Sequence, residues 1–94
     1  MNRQSAIELL ESTHSFPCEY TFKVIGLAEA NFVGRVVQAV RRVLPEDVEP
    51  PFYTRQTASG RHVSVTIEPT LDGADEVLAV YRELANLQGL ELVL

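Results

Sequence analysis

The sequence predicts an α+β domain: a four-stranded antiparallel sheet with two helices on one face, preceded by a short N-terminal helix. Three observations carry that prediction. Arg61-His62-Val63-Ser64-Val65-Thr66-Ile67-Glu68-Pro69 alternates strictly, with Val63, Val65 and Ile67 on one side and His62, Ser64, Thr66 and Glu68 on the other. That period of two belongs to a strand with one buried face. Two longer stretches with helical period lie between strand-like stretches, and the total of 94 residues, 46% of them hydrophobic, suits one domain with one core.

Taken in order, Ser5-Ala6-Ile7-Glu8 reads as a capping box ahead of Leu9 and Leu10, a hydroxyl followed three residues later by a carboxylate. It predicts a helix of two turns at most, broken by Ser12-Thr13-His14-Ser15. Residues 1–15 are therefore an appendage to a domain spanning 16–94. A helix so short is marginal alone, so Ile7, Leu9 and Leu10 are expected to dock, covering part of any sheet face left open. In Cys18 to Gly26, Tyr20, Phe22 and Val24 alternate with Glu19, Thr21 and Lys23, predicting a half-buried strand with Gly26 as its closing corner. From about Glu29 the period becomes helical: Phe32, Val33, Val36, Val37, Val40, Val43 and Leu44 form one face, and Arg35, Gln38, Arg41 and Arg42 the other. Valines are weak helix formers, so burial must hold this helix. Pro45 stops it.

Phe52 to Thr57, preceded by Pro50 and Pro51, reads as an edge strand. Ala58-Ser59-Gly60 turns the chain into the alternating strand, with Gly60 at the positive-φ position. Thr70 or Asp72 is expected to cap a second long helix, with Val77, Leu78, Tyr81, Leu84 and Ala85 as its apolar stripe and Gly89 after its end. Leu90 to Leu94 forms a last strand. The order is β-α-β-β-α-β. With right-handed crossovers both long helices fall on one face of the sheet, and the first and third strands are central; this is the ferredoxin-like plait.

Composition excludes several functions. A net charge of −5 and a pI near 4.9 oppose nucleic-acid binding, which depends on cations neutralising phosphates. The open side of the alternating strand also offers no aromatic residue for base stacking. One cysteine, Cys18, forms no internal disulfide. No apolar run reaches the ~20 residues of a membrane helix, and the polar N-terminus does not read as a signal peptide; a soluble cytoplasmic protein is expected. His14, Cys18 and His62 are the only soft donors and do not form a closed metal set. Neither a cofactor, a metal nor a catalytic set is expected, and the chain is not read as an enzyme.

Several stretches together resemble a known family. Phe16-Pro17-Cys18-Glu19-Tyr20-Thr21-Phe22-Lys23-Val24-Ile25-Gly26 resembles the first strand of the YbeD-like family of small bacterial proteins. Ser59-Gly60-Arg61-His62-Val63-Ser64-Val65-Thr66-Ile67 resembles its central hairpin, and Val80-Tyr81-Arg82-Glu83-Leu84 through Leu92-Val93-Leu94 its tail. The resemblance implies a ferredoxin-like plait similar to the amino-acid-sensing ACT domains and carries over no catalytic residue. It also implies a candidate small-molecule site at the corner Gly26, Leu27, Ala28 and Glu29, where ACT-like domains bind an effector. Backbone N–H groups there suit a carboxylate; Glu29 opposes one but suits an amino group. A plain tight corner is the competing reading, and an acylphosphatase-like anion cradle is disfavoured by Glu29 and by the distance along the chain to Arg35. The other candidate is the mild polar side of the central strands, Lys23, Ile25, His62, Ser64 and Thr66, as a surface for a protein partner or a second copy. The expected function is a non-catalytic regulatory or protein-interaction module, with an ACT-like amino-acid sensor as the alternative.

Overall fold

The computed structural model describes residues 2–94. Helix α1 (Arg3–Thr13) is followed by β1 (Cys18–Glu19), β2 (Phe22–Leu27), α2 (Phe32–Arg41), β3 (Phe52–Gln56), β4 (His62–Ile67), β5 (Thr70–Leu71), α3 (Ala74–Ala85) and β6 (Leu90–Val93). The main sheet has the order β3-β4-β2-β6, every neighbour antiparallel. The alternating stretch is thus a central strand, flanked by β2 and β3. Phe22, Val24, Val63, Val65 and Ile67 enter one buried cluster with Phe32, Val36, Ala39 and Val40 of α2 and Val77, Val80 and Leu84 of α3. Each of these side chains larger than Ala39 contributes about 1.5–3 kcal/mol on leaving water, enough to hold a valine-rich helix against its own propensity.

Four local features differ from the sequence reading. The first strand is interrupted at Tyr20 and Thr21. Cys18 and Glu19 pair instead with Leu71 and Thr70 in a separate two-stranded ribbon, while the Tyr20 ring meets those of His14 and Phe22 at 5.0 and 4.8 Å. Thr70 therefore caps nothing: Leu71 is fully buried, drawing that segment into a strand, and α3 starts after Gly73, with Glu76 accepting from the Asp72 amide. Its buried stripe is Ala74, Val77, Val80 and Leu84, whereas Ala85 is exposed. Helix α2 begins at Phe32 rather than near Glu29, because Ala30 and Asn31 are left-handed at φ 51° and 54°; Asn tolerates that region, and its Oδ1 accepts from the Gly34 amide at 3.3 Å.

Helix α1 is longer than expected, three turns capped by Asn2, whose Oδ1 accepts from the Ser5 amide at 2.8 Å. It does not take up the position anticipated for Ile7, Leu9 and Leu10. It lies against α3, with Leu10 packed on the core cluster and Leu9 52% exposed. Leu10 reaches the core at the α3 end, where His14, Phe16, Tyr20, Phe22 and Tyr81 form an aromatic group.

Candidate functional site

The sheet face opposite the core is set by strand register. Side chains alternate across a pleat, so if Phe22, Val24, Val63, Val65 and Ile67 point inward, their neighbours in sequence point outward. The pairings then form rows across the open face. Tyr53, Thr66, Lys23 and Leu94 make one, the last two exchanging both backbone hydrogen bonds at 3.2 and 2.8 Å. Arg55, Ser64, Ile25 and Leu92 make the next. His62 pairs with Leu27 in a third, beside a register shift in β6 from which Glu91 reaches the His62 Nε2 at 3.7 Å.

This face is less polar than its central strands suggest. Tyr53 is 62% exposed, Leu94 59% and Leu92 46%, so the edge strands bring the apolar area. Lys23, Ile25, Arg55 and Ser64 border a depression of about 630 Å³. Of the surface candidates, Lys23 is exposed, and Ile25, His62 and Ser64 are half-buried. Thr66 is a correction: it is only 8% exposed, a short side chain in the row between the longer Tyr53 and Lys23. Tyr53, Arg55, Glu91, Leu92 and Leu94 were missed because a residue's face is legible within one strand, while its neighbours on that face depend on register. The alternation of Tyr53 and Arg55 with Thr54 is the one signal that hinted at them.

The corner at Gly26, Leu27, Ala28 and Glu29 is occupied by the protein itself. A Cβ at Gly26 would run into the ring of Phe32, so glycine is needed for a close approach. The Leu27 amide donates to the Gly89 carbonyl at 2.9 Å, the Ala28 amide to Arg61 at 2.9 Å, and the Glu29 amide to Leu27 at 2.8 Å. These three donors are spent on carbonyls rather than aimed at an anion. Arg35 is similarly committed: its Nε donates to the Ala30 carbonyl at 2.9 Å and its Nη1 to Gln88 at 2.8 Å. Beside the corner lies a cavity of about 190 Å³ bordered by Ala28, Glu29, Asn31, Phe32 and Gln56.

His14, Cys18 and His62 stay apart in their settings: His14 against Tyr20, Cys18 in the small ribbon, His62 near Glu91. Among the described residues, no group of three or more His, Cys, Asp or Glu side chains is placed to hold a metal, and no helix is long and apolar enough to cross a membrane.

With this geometry in view, residues 11–94 match the model of the family described as "Protein of unknown function (DUF493)". The chain belongs to the DUF493 family. DUF493 relatives among small bacterial proteins include the UPF0250 protein YE3006 of Yersinia enterocolitica, 40% identical over 87 residues that cover 93% of each chain. A UPF0250 protein of Yersinia pseudotuberculosis is 39% identical over the same share. The solution structure of HP0495 from H. pylori is similar to this DUF493 chain with a TM-score of 0.62, over 86% of this chain and 85% of that one. At 14% identity that likeness concerns the fold alone. Most of α1 precedes the residues that match the DUF493 model.

Proposed function

We propose that this protein acts without catalysis, as an interaction module of ferredoxin-like, ACT-related plait whose open sheet face is the contact surface. The observation that carries the reading is the joint exposure of Tyr53, Leu92 and Leu94 on a face that α1 leaves bare. Two flanking cations, Lys23 and Arg55, border the depression between them. Aromatic and aliphatic side chains rimmed by polar ones are the composition of protein contact surfaces. In-cell photo-crosslinking tests it: a photoreactive residue at Tyr53 or Leu92 should trap a protein, and one at the exposed Gln38 on α2 should not. Equal trapping at all three positions, or none at any, overturns the reading.

A second reading is favoured by one observation. The cavity beside Glu29 brings a carboxylate, Asn31 and Gln56 against the apolar Phe32 and Val33, a mixture suited to a small amine-bearing metabolite such as an amino acid. Its volume of about 190 Å³ falls below the ~300–1,000 Å³ of ordinary ligand pockets, which places the weight on the sheet face. A thermal-shift screen with amino acids decides it. A ligand at 100 times its dissociation constant adds about 2.7 kcal/mol, and no shift with any amino acid removes the sensor reading.

A further inference from the structure

We infer that the occupant of the open sheet face is a second copy of this chain, seated face to face about a twofold axis that runs along the strands. The inference rests on the contact-face reading above and names the partner. Its basis is that the face complements itself. One edge, β3, carries the aromatic Tyr53 and the cation Arg55; the other, β6 with the residue after it, carries Glu91, Leu92 and Leu94. Within the face, Lys23 and Arg55 are matched by Glu68 and Glu91, with Glu68 accepting from Thr21 at 3.0 Å and Glu91 near His62. A surface with cation and anion at opposite edges does not select a uniformly acidic or basic partner. It does fit its own rotated copy.

A twofold axis along the strands, between β4 and β2, lays β3 of one copy over β6 of the other and keeps each row at its own level. Tyr53 then meets Leu94, and Arg55 meets Leu92 and Glu91, because Arg55 and Leu92 share a row. By symmetry each contact occurs twice. Across the central rows Ile25 faces Ser64 and Lys23 faces Thr66; Ser64 and Thr66 are short, which lets two sheets approach to about 10 Å. The face is small: four strands about 4.8 Å apart and six residues long present a projected area of roughly 400 Å² per copy. Counted over both copies, roughly 800 Å², this falls below the ~1,000 Å² of a stable interface, so the dimer is a weak and transient one.

Sedimentation velocity of the full chain, carried up to ~1 mM because weak association shows only at high concentration, should show the mass rising from one copy towards two. Arg55→Glu alone and Glu91→Arg alone should each weaken association by about tenfold, since each places like charges together twice. The double variant should return to within about threefold of the parent, the coupling expected of residues in direct contact. Leu92→Lys should leave a single copy at every concentration. All three substituted positions are exposed, and circular dichroism confirms that each variant is folded. A parent chain that stays a single copy at the highest concentration overturns the inference, as does a double variant no better than the singles. If crosslinks from positions 53 and 92 run to a different protein while the chain sediments as one copy, the second-copy inference fails and the contact face survives; if no crosslink forms, both fail.

Discussion

Gly26 leaves room for one ring. The Phe32 side chain, 2% exposed, occupies the space a Cβ at position 26 would need. Gly26→Ala should therefore destabilise the domain by about 1–3 kcal/mol, the usual range for overpacking. Chemical denaturation measures it, and adding Phe32→Leu should recover part of the loss. A glycine closing an alternating strand is legible in sequence as a corner; the ring behind it, six residues on, is not, because nothing in the local pattern says where Phe32 will lie. Tyr81 carries the second prediction at this scale. Burial first, and then the neighbouring Tyr20, push the phenol well above its ordinary value. Below the unfolded value of about 10 both states hold the proton and the stabilisation is complete. Above it the unfolded chain releases the proton while the folded one retains it, so stability should fall as pH rises through the alkaline range. Denaturation midpoints between neutral and alkaline pH should show that fall, and Tyr81→Phe should flatten it.

Arg35 joins elements rather than facing a ligand. Its guanidinium spans the Ala30 carbonyl before α2 and the Gln88 carbonyl after α3, close to where the Leu27 amide bonds Gly89. A lysine ammonium lacks the planar fork needed to hold both carbonyls. Arg35→Lys should speed hydrogen exchange at the Leu27 amide by about tenfold, roughly 1.4 kcal/mol of lost local stability, while the melting temperature changes little. The arginine is visible on the polar side of an amphipathic pattern, which assigns it to solvent; one of its two partners, the Gln88 carbonyl, lies 53 residues away. Elements themselves were legible wherever period and burial agreed, as in β4 and α2. They were misread at Thr70 and Tyr20, where a polar cap and a regular alternation were overridden by the burial of Leu71 and by aromatic packing.

At the scale of the whole molecule, the central position of β4 makes its inward side unforgiving. Val65 is fully buried between Val24 and Thr54 on the flanking strands. Val65→Asp strands a charge there without a partner, a cost beyond the 4–5 kcal/mol that marks exceptional substitutions; loss of the far-ultraviolet and near-ultraviolet dichroism together should report an unfolded chain. The architecture was readable because the order of periods leaves few chain paths, and sequence showed that one face of the sheet would be polar at its centre. That the same face turns apolar towards its edges was hidden, since it takes the pairing of Tyr53 with Thr66 and of Leu92 with Ile25 to place those side chains together.

The strand β2 finds its neighbours late. Val24 pairs on one side with Val65 and on the other with Val93, so neither partner exists when β2 itself leaves the ribosome. During synthesis this largely apolar strand must wait with both edges free, and it is completed only after residues 90–93 have emerged. Loops this long are slow to close. Folding should consequently be slower than in a helical domain of equal length, with any chain stalled before β6 exposing β2 to aggregation.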